Sequence, residues 1–212
     1  MASTSDPAEL ARALRHLRAV DRRLGALIGD SPRPQFLPSR NHLESLTRAI
    51  VHQQLSGKAA ATIYGRFKGL FKGRFGGRFP TAADILSVPM AELRSVGLSA
   101  AKAEFVRDLA RHFADGSVDA RQLRRLDDDQ VIAKLIAIKG IGIWSVHMFL
   151  LFGLNRPDIL PTGDLGVRKG MQKLYRMREL PAPSQMMRRA EPWRPYRSVA
   201  SWYMWRAADG TI

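Results

Sequence analysis

The sequence predicts an all-α protein. Apolar residues recur at helical spacings along most of the 212 residues, and no run alternates apolar and polar residues as a half-buried strand would. Helix start and stop residues punctuate the chain between these runs. A tight turn, Lys139-Gly140-Ile141-Gly142, also joins two strongly apolar helical stretches, a joint that presupposes a helix on each side. Roughly ten helices of ordinary globular length account for the chain.

The first helix spans 8–28, with Leu10, Leu14, Leu17, Leu24 and Leu27/Ile28 in register and Asp6-Pro7 as its start signal. The Pro-rich connector 31–39 is the first candidate boundary. Asn41 caps a helix with Leu43, Leu46, Ile50 and Val51 on one face, and Ser56 starts another that turns Ala60, Ile63, Tyr64 and Phe67 inward. The segment 71–81 is a basic, Gly-rich loop closed by a proline. Short helices follow at 81–87 and 89–95. Ser99 then caps an amphipathic helix with Ala101, Phe105, Leu109 and Phe113 inward and Gly116 past its end. Asp127 or Asp128 starts the helix that enters the tight turn, where a carboxylate suits the helix dipole. A second apolar helix, 143–153, leaves the turn. A Pro-bounded loop leads to Asp164, followed by a basic helix at 165–177, a Pro-interrupted stretch and a terminal helix at 198–207.

The totals narrow the function. An apolar fraction of 45% and a charged fraction of 25% are those of a soluble globular protein. The net charge of +15, from 34 Lys+Arg against 19 Asp+Glu, would draw the chain towards polyanions. Nucleic acid is the first candidate, an anionic membrane surface the second, and a basic protein with no polyanion partner the bland alternative. The absence of cysteine excludes disulfides, thiolate zinc sites and cysteine-ligated iron–sulfur clusters. The opening MASTSDPAEL does not read as a secretory signal, and the apolar stretch Val146–Leu154 is too short to span a bilayer. A soluble, cytoplasmic and nucleoid-associated protein is expected. The five histidines show no metal-ligand spacing, and no Ser-His-Asp arrangement stands out, so metal catalysis and a serine nucleophile are poorly supported.

Four features could carry chemistry. The turn Ile138 to Gly142 would sit at a helix N-terminus, where unpaired N–H groups favour an anion and glycine lets a phosphate approach. An ordinary helix–helix packing joint explains the same pattern, and basic Lys139 tilts the reading towards phosphate. Asp164 in LPTGDL suits an N-cap, and a cap also fixes where its carboxylate points. Held near a nucleic acid, that carboxylate could stabilise cationic charge on a sugar as a base departs, or orient water. Trp144 and Trp205 could be core residues or could sandwich a base removed from the stack, and Trp faces favour a cationic base. Gln53 and Gln54 read either as a solvated helix end or as groups that fill the gap left by an extruded base.

With these residues placed, the chain resembles the helix-hairpin-helix (HhH-GPD) DNA glycosylase superfamily. More narrowly, it resembles the DNA-3-methyladenine glycosylase II branch that repairs alkylated bases, in a compact form without an N-terminal β-domain. Segments 46–67, 93–116, 135–170 and 192–207 carry the resemblance. It implies a helix-hairpin-helix DNA glycosylase fold, with two helical subdomains flanking an active-site cleft. One subdomain is 43–154, with the hairpin; the other is 1–42 plus 155–212.

The resemblance makes Asp164 the catalytic aspartate. Trp144, Trp205, Gln53 and Met148 become base-pocket residues and Gln54 the duplex wedge, although the family's wedge is usually apolar. The phosphate contacts implied are Lys139, Gly140, Ile141, Gly142, Thr162, Arg168, Lys169 and Lys102. The backbone carbonyls of Ile136, Ile138 and Ile141 fall where the family holds a structural Na+ or K+. No other cofactor is required.

Members that also cut the strand carry a lysine two residues after the hairpin's second glycine. Trp144 stands there in this chain. The resemblance therefore implies a monomeric, monofunctional enzyme that flips alkylated purines of the 3-methyladenine and 7-methylguanine type out of double-stranded DNA. Hydrolysis of the glycosidic bond would leave an abasic site for base excision repair. A glycosylase for deaminated or oxidised bases and a non-catalytic helix-hairpin-helix DNA binder are the alternatives.

Overall fold

The computed structural model describes residues 3–37, 39, 41–55, 57–72 and 78–210, and among them helices are the regular structure throughout. In chain order these are α1 (Pro7–Val20), α2 (Arg22–Asp30), α3 (His42–His52), α4 (Gly57–Phe71), α5 (Ala82–Ser87), α6 (Met90–Ser95), α7 (Ala100–Ala114), α8 (Ala120–Arg125), α9 (Asp128–Ile136), α10 (Ile143–Met148), α11 (Leu165–Tyr175), α12 (Pro183–Arg189) and α13 (Arg197–Ala208). None is long and apolar enough to cross a membrane. The chain divides into two compact units, one of Met1–Pro38 with Leu150–Ile212 and one of Ser39–Phe149.

Local chemistry sets most helix starts. Asp6 accepts from Ala8 N and is followed by Pro7 at the first helical position, where its missing N–H costs nothing. Asn41, Ser99, Asp127 and Asp164 each accept a backbone N–H from the first turn they precede. Asp127 and Gln130 form a reciprocal capping box ahead of the hairpin.

The helix expected at 8–28 is broken. Asp21 adopts an extended backbone (φ −144°), ends α1, and caps α2 by accepting from Arg23 N and Leu24 N. The apolar stripe runs through the break because Leu17 and Leu24 are both buried, so periodicity alone cannot reveal it. Asp21 also accepts from the Tyr175 hydroxyl and from Trp193 Nε1, which draws α2 onto α11 and the turn at Glu191–Trp193.

Three further expectations change. On α7 the buried stripe is Ala103, Val106, Leu109 and Ala110; Ala101 is exposed and Phe105 half-buried. The helix leaving the hairpin is α-helical only to Met148 and continues as one π turn, Phe149–Gly153. Helices α8 and α12 occupy stretches that the periodicity left without a helix. Ser56 and residues 73–77 of the Gly-rich loop lie outside the described residues.

The 1–38/150–212 unit closes on Leu14, Leu17, Leu24, Leu27, Val167, Met171, Trp193, Tyr203 and Met204. Helices α11 and α13 form its closest pairing, and Gly170 sets the distance. A Cβ there would lie 1.8 Å from the Met204 carbonyl oxygen, so only glycine lets the two backbones approach this far. The 39–149 unit packs α3 against α4, α7 and α10, and α7 against α5 and α6, around Leu46, Ile50, Phe67, Ile85, Leu93, Val106, Leu109, Leu135 and Val146.

Candidate active site

In the 1–38/150–212 unit, the loop 155–164 delivers Asp164. It is stitched to the start of α13 by paired polar groups. Arg197 grips Asp158 through Nε to Oδ1 (2.7 Å) and Nη2 to Oδ2 (2.9 Å), and Ser198 Oγ donates to Arg156 O (2.6 Å) while accepting from Ile159 N (2.9 Å). Both Arg197 and Ser198 are buried, so the bidentate pair works away from solvent screening. Asp158, Arg197 and Ser198 were not among the residues singled out by sequence. Nothing local marks them, since their partners lie about forty positions away.

Asp164 itself is only 8% exposed. One oxygen, Oδ1, accepts both the Val167 N–H of the first turn of α11 (2.9 Å) and the indole N–H of Trp205 (2.8 Å). The carboxylate is therefore fixed from two helices. Trp205 is half-buried, and its ring packs against Phe152 with centroids 5.6 Å apart. Sequence reasoning placed Trp205 as a flat surface for a base; the structure adds a polar role for its nitrogen. Thr162 is half-buried two residues before Asp164, and Lys169 is exposed on α11. Arg168 directs Nε to the Pro181 carbonyl (3.1 Å), so part of its guanidinium is held by the protein.

The 39–149 unit carries the hairpin between α9 and α10. Gly140 has φ +80°, and a Cβ there would sit 2.1 Å from Phe105 Cγ, so the turn requires glycine on both counts. Gly142 is the extended N-cap of α10 and is exposed, at the positive end of the helix, with Lys139 exposed beside it. Ile138 and Ile141 anchor the turn in the core, Ile136 is half-exposed, and Ile138 O accepts Ile141 N–H (3.1 Å). Trp144 and Met148 lie one turn apart on α10, both half-buried.

The two glutamines divide. Gln53, expected in the base pocket, directs Nε2 to Gly140 O (2.7 Å) and Ser145 Oγ (2.8 Å), tying the end of α3 to the hairpin. Gln54 is exposed in the left-handed region, φ +54°, which non-glycine residues enter rarely. Lys102 does not stand ready for phosphate as expected. Its Nζ caps the C-terminal carbonyls of α3, at Val51 O (2.8 Å) and Gln53 O (2.7 Å), and burial lowers its pKa. His52 beside them is held below its usual pKa by burial first, then by Arg48 and Lys102.

The doubly anchored Asp164 and the glycine hairpin both fall within the stretch that identifies the family. Residues 47–195 match the family described as HhH-GPD superfamily base excision DNA repair protein, and the chain belongs to it. The chain is 34% identical to DNA-3-methyladenine glycosylase 1 of Schizosaccharomyces pombe, over 94% of this chain and 88% of that protein. It is 33% identical to the putative DNA-3-methyladenine glycosylase YfjP of Bacillus subtilis, over 77% of this chain and 58% of the relative. Among solved structures it is similar to the S. pombe 3-methyladenine DNA glycosylase Mag1 in complex with abasic DNA (TM-score 0.84, 34% identity, 92% of this chain and 95% of that one). It is also similar to the DNA-3-methyladenine glycosidase of Bacillus halodurans (TM-score 0.79, 35% identity, 99% and 92% covered).

Proposed function

We propose that this protein is a monofunctional DNA glycosylase that removes alkylated purines, of the 3-methyladenine and 7-methylguanine type, from double-stranded DNA. The observation that carries the proposal is the anchoring of Asp164 by Val167 N–H and Trp205 Nε1 in a chain of this family. A carboxylate oriented before substrate arrives stabilises developing positive charge without reorganising during the reaction.

The hairpin N–H groups at the start of α10, with Lys139, hold a phosphate oxygen, and Thr162, Arg168 and Lys169 add backbone contacts. These fix position and register and make affinity fall with salt. The damaged base leaves the stack for an aromatic face, with Trp144 on α10 and Trp205 on α13 as the candidates, while Gln54 enters the gap. A purine alkylated at N3 or N7 carries positive charge, so aromatic faces attract it and it departs as a neutral base without a general acid. Asp164 stabilises the oxocarbenium-like sugar and orients the water that adds to C1′. The glycosidic electron pair leaves with the base, the water's oxygen becomes the C1′ hydroxyl, and the one proton it sheds goes to solvent. The product is an abasic site.

Trp144 stands where strand-cutting relatives carry a lysine, so no Schiff base forms and the strand stays intact. A Na+ or K+ on the carbonyls of Ile136, Ile138 and Ile141 belongs to the same proposal. Ile138 O keeps a second lone pair beyond its bond to Ile141 N–H, and bound there the ion would reinforce the positive end of α10. The protein is proposed to act as a monomer.

Base release from methylated duplex DNA, resolved chromatographically, tests the function. Release of 3-methyladenine and 7-methylguanine with an uncut strand is expected. Release only from uracil- or 8-oxoguanine-containing duplexes would reassign the lesion, and no release from any duplex would leave a binding protein. Borohydride trapping of a covalent adduct would contradict the role given to Trp144.

A further inference from the structure

On α7, Lys102, Phe105 and Asp108 recur every third residue and so share one side of the helix. Each holds a different piece of the neighbouring backbone. Lys102 Nζ donates to Val51 O and Gln53 O at the end of α3. The ring of Phe105 fills the space where Gly140 has no side chain, and Asp108 Oδ2 accepts the N–H of Lys139 (3.1 Å). Gln53 closes the circuit, its carbonyl held by Lys102 and its side chain bonded to Gly140 O and Ser145 Oγ. One helix face therefore supports both the hairpin and the turn that carries Gln54.

Gln54 is the strained member of this assembly. Its left-handed backbone (φ +54°) is unfavourable for a side-chain-bearing residue and persists only where the surroundings hold it. Gln54 itself is exposed. The neighbouring Gln53 is held through its carbonyl by Lys102 and through its amide by the hairpin. We propose that Lys102 is a positioning residue, which with Phe105 and Asp108 makes α7 a platform that keeps the Gln53–Gln54 turn in fixed register with the phosphate-binding hairpin. The inference rests on the reading of Gln54 as the duplex wedge and of the hairpin as the phosphate grip. Gripping the backbone then places the wedge beside the base to be displaced, and the ammonium acts on the protein rather than on DNA. Burial of Lys102, which lowers its pKa, accords with an interior role.

The test compares wild type, Lys102→Met and Lys102→Arg on two duplexes. One carries 7-methylguanine; the other carries an abasic-site analogue opposite 2-aminopurine, whose fluorescence rises when a wedge disturbs its stacking. In Lys102→Met, affinity for undamaged duplex should stay within about twofold, because the phosphate contacts are intact. The 2-aminopurine signal should be lost and single-turnover base release should fall about tenfold or more, as expected for misplacement of a positioned group. Arginine should restore most of both.

Normal fluorescence and release in Lys102→Met would overturn the proposal. An equal loss of affinity for undamaged DNA would also overturn it, since Lys102 would then be a phosphate contact. If Lys102→Met does not fold, Gln53→Leu cuts only the side-chain link to Gly140 and Ser145 and must give the same split, or the platform is refuted. Failure of the wild type to release any methylated base would sink the glycosylase reading alone, because the fluorescence comparison still decides the role of Lys102.

Discussion

Trp205 donates its indole N–H to the same oxygen of Asp164 that caps α11, at 2.8 Å against 2.9 Å for the capping bond from Val167 N. The bond that caps α11 and the bond that orients the carboxylate meet on one oxygen. A carboxylate at a helix N-terminus is already stabilised as an anion by the dipole and by the N–H it accepts. The indole adds a second constraint from α13, held close by the contact at Gly170.

Replacing Trp205 with Phe keeps a ring against Phe152 and removes only the N–H. A hydrogen bond to a charged group contributes about 1.5–3 kcal/mol, so single-turnover base release should fall roughly 10- to 100-fold if that constraint serves the transition state. An unchanged rate would mean that the indole bond is structural only.

Gly140→Ala meets two penalties, a left-handed backbone at φ +80° and a methyl group 2.1 Å from Phe105 Cγ. Together these should cost about 2–4 kcal/mol. Thermal unfolding should shift down by roughly 2–4 °C for each of those kcal/mol. Affinity for undamaged duplex should drop with it, because the turn presents the hairpin N–H groups. A variant with wild-type Tm and wild-type affinity would show that the turn tolerates a side chain.

His42 makes stability depend on acid. It is buried against Phe149, its Nε2 accepts from Arg124 Nε (3.3 Å), and burial followed by the Arg124 charge lowers its pKa to about 4. The unfolded chain takes up this proton near the ordinary value of 6.5 while the folded chain refuses it. The stabilisation is therefore complete above about pH 7 and is lost as pH falls towards 4, by on the order of 3 kcal/mol for this group. His52 and His147, also depressed by burial, act in the same direction. Thermal melts of wild type and His42→Gln across this range check the sign. The variant should show a shallower acid decline, and a parallel decline would clear His42 of the effect.

How much of this was legible in the sequence follows from the range of each interaction. Asn41, Ser99, Asp127 and Asp164 cap helices through N–H groups three residues away, so their identity and position announce them. The hairpin is equally local, because glycine at 140 permits the positive φ of the turn. The break at Asp21 was hidden because burial of Leu17 and Leu24 continues the helical stripe across it. The bond from Trp205 to Asp164, the loop held by Arg197 and Asp158, and the grip of Lys102 on α3 all join residues tens of positions apart. In these cases residue type shows a capacity and only the fold shows the partner. Lys102 is the clearest case. A lysine in a basic chain reads as a phosphate contact until its ammonium is found on two carbonyls.

The central claim is that the charge of Asp164 does the chemistry, and Asp164→Asn tests it most directly. Asparagine caps a helix as well as aspartate does, and its amide oxygen can still accept from Val167 N and Trp205 Nε1, so the fold should be kept and only the negative charge lost. The account predicts damaged-duplex binding close to wild type, with single-turnover release of 7-methylguanine about 100- to 1000-fold slower. Release near the wild-type rate by a folded, DNA-binding Asp164→Asn protein would contradict it.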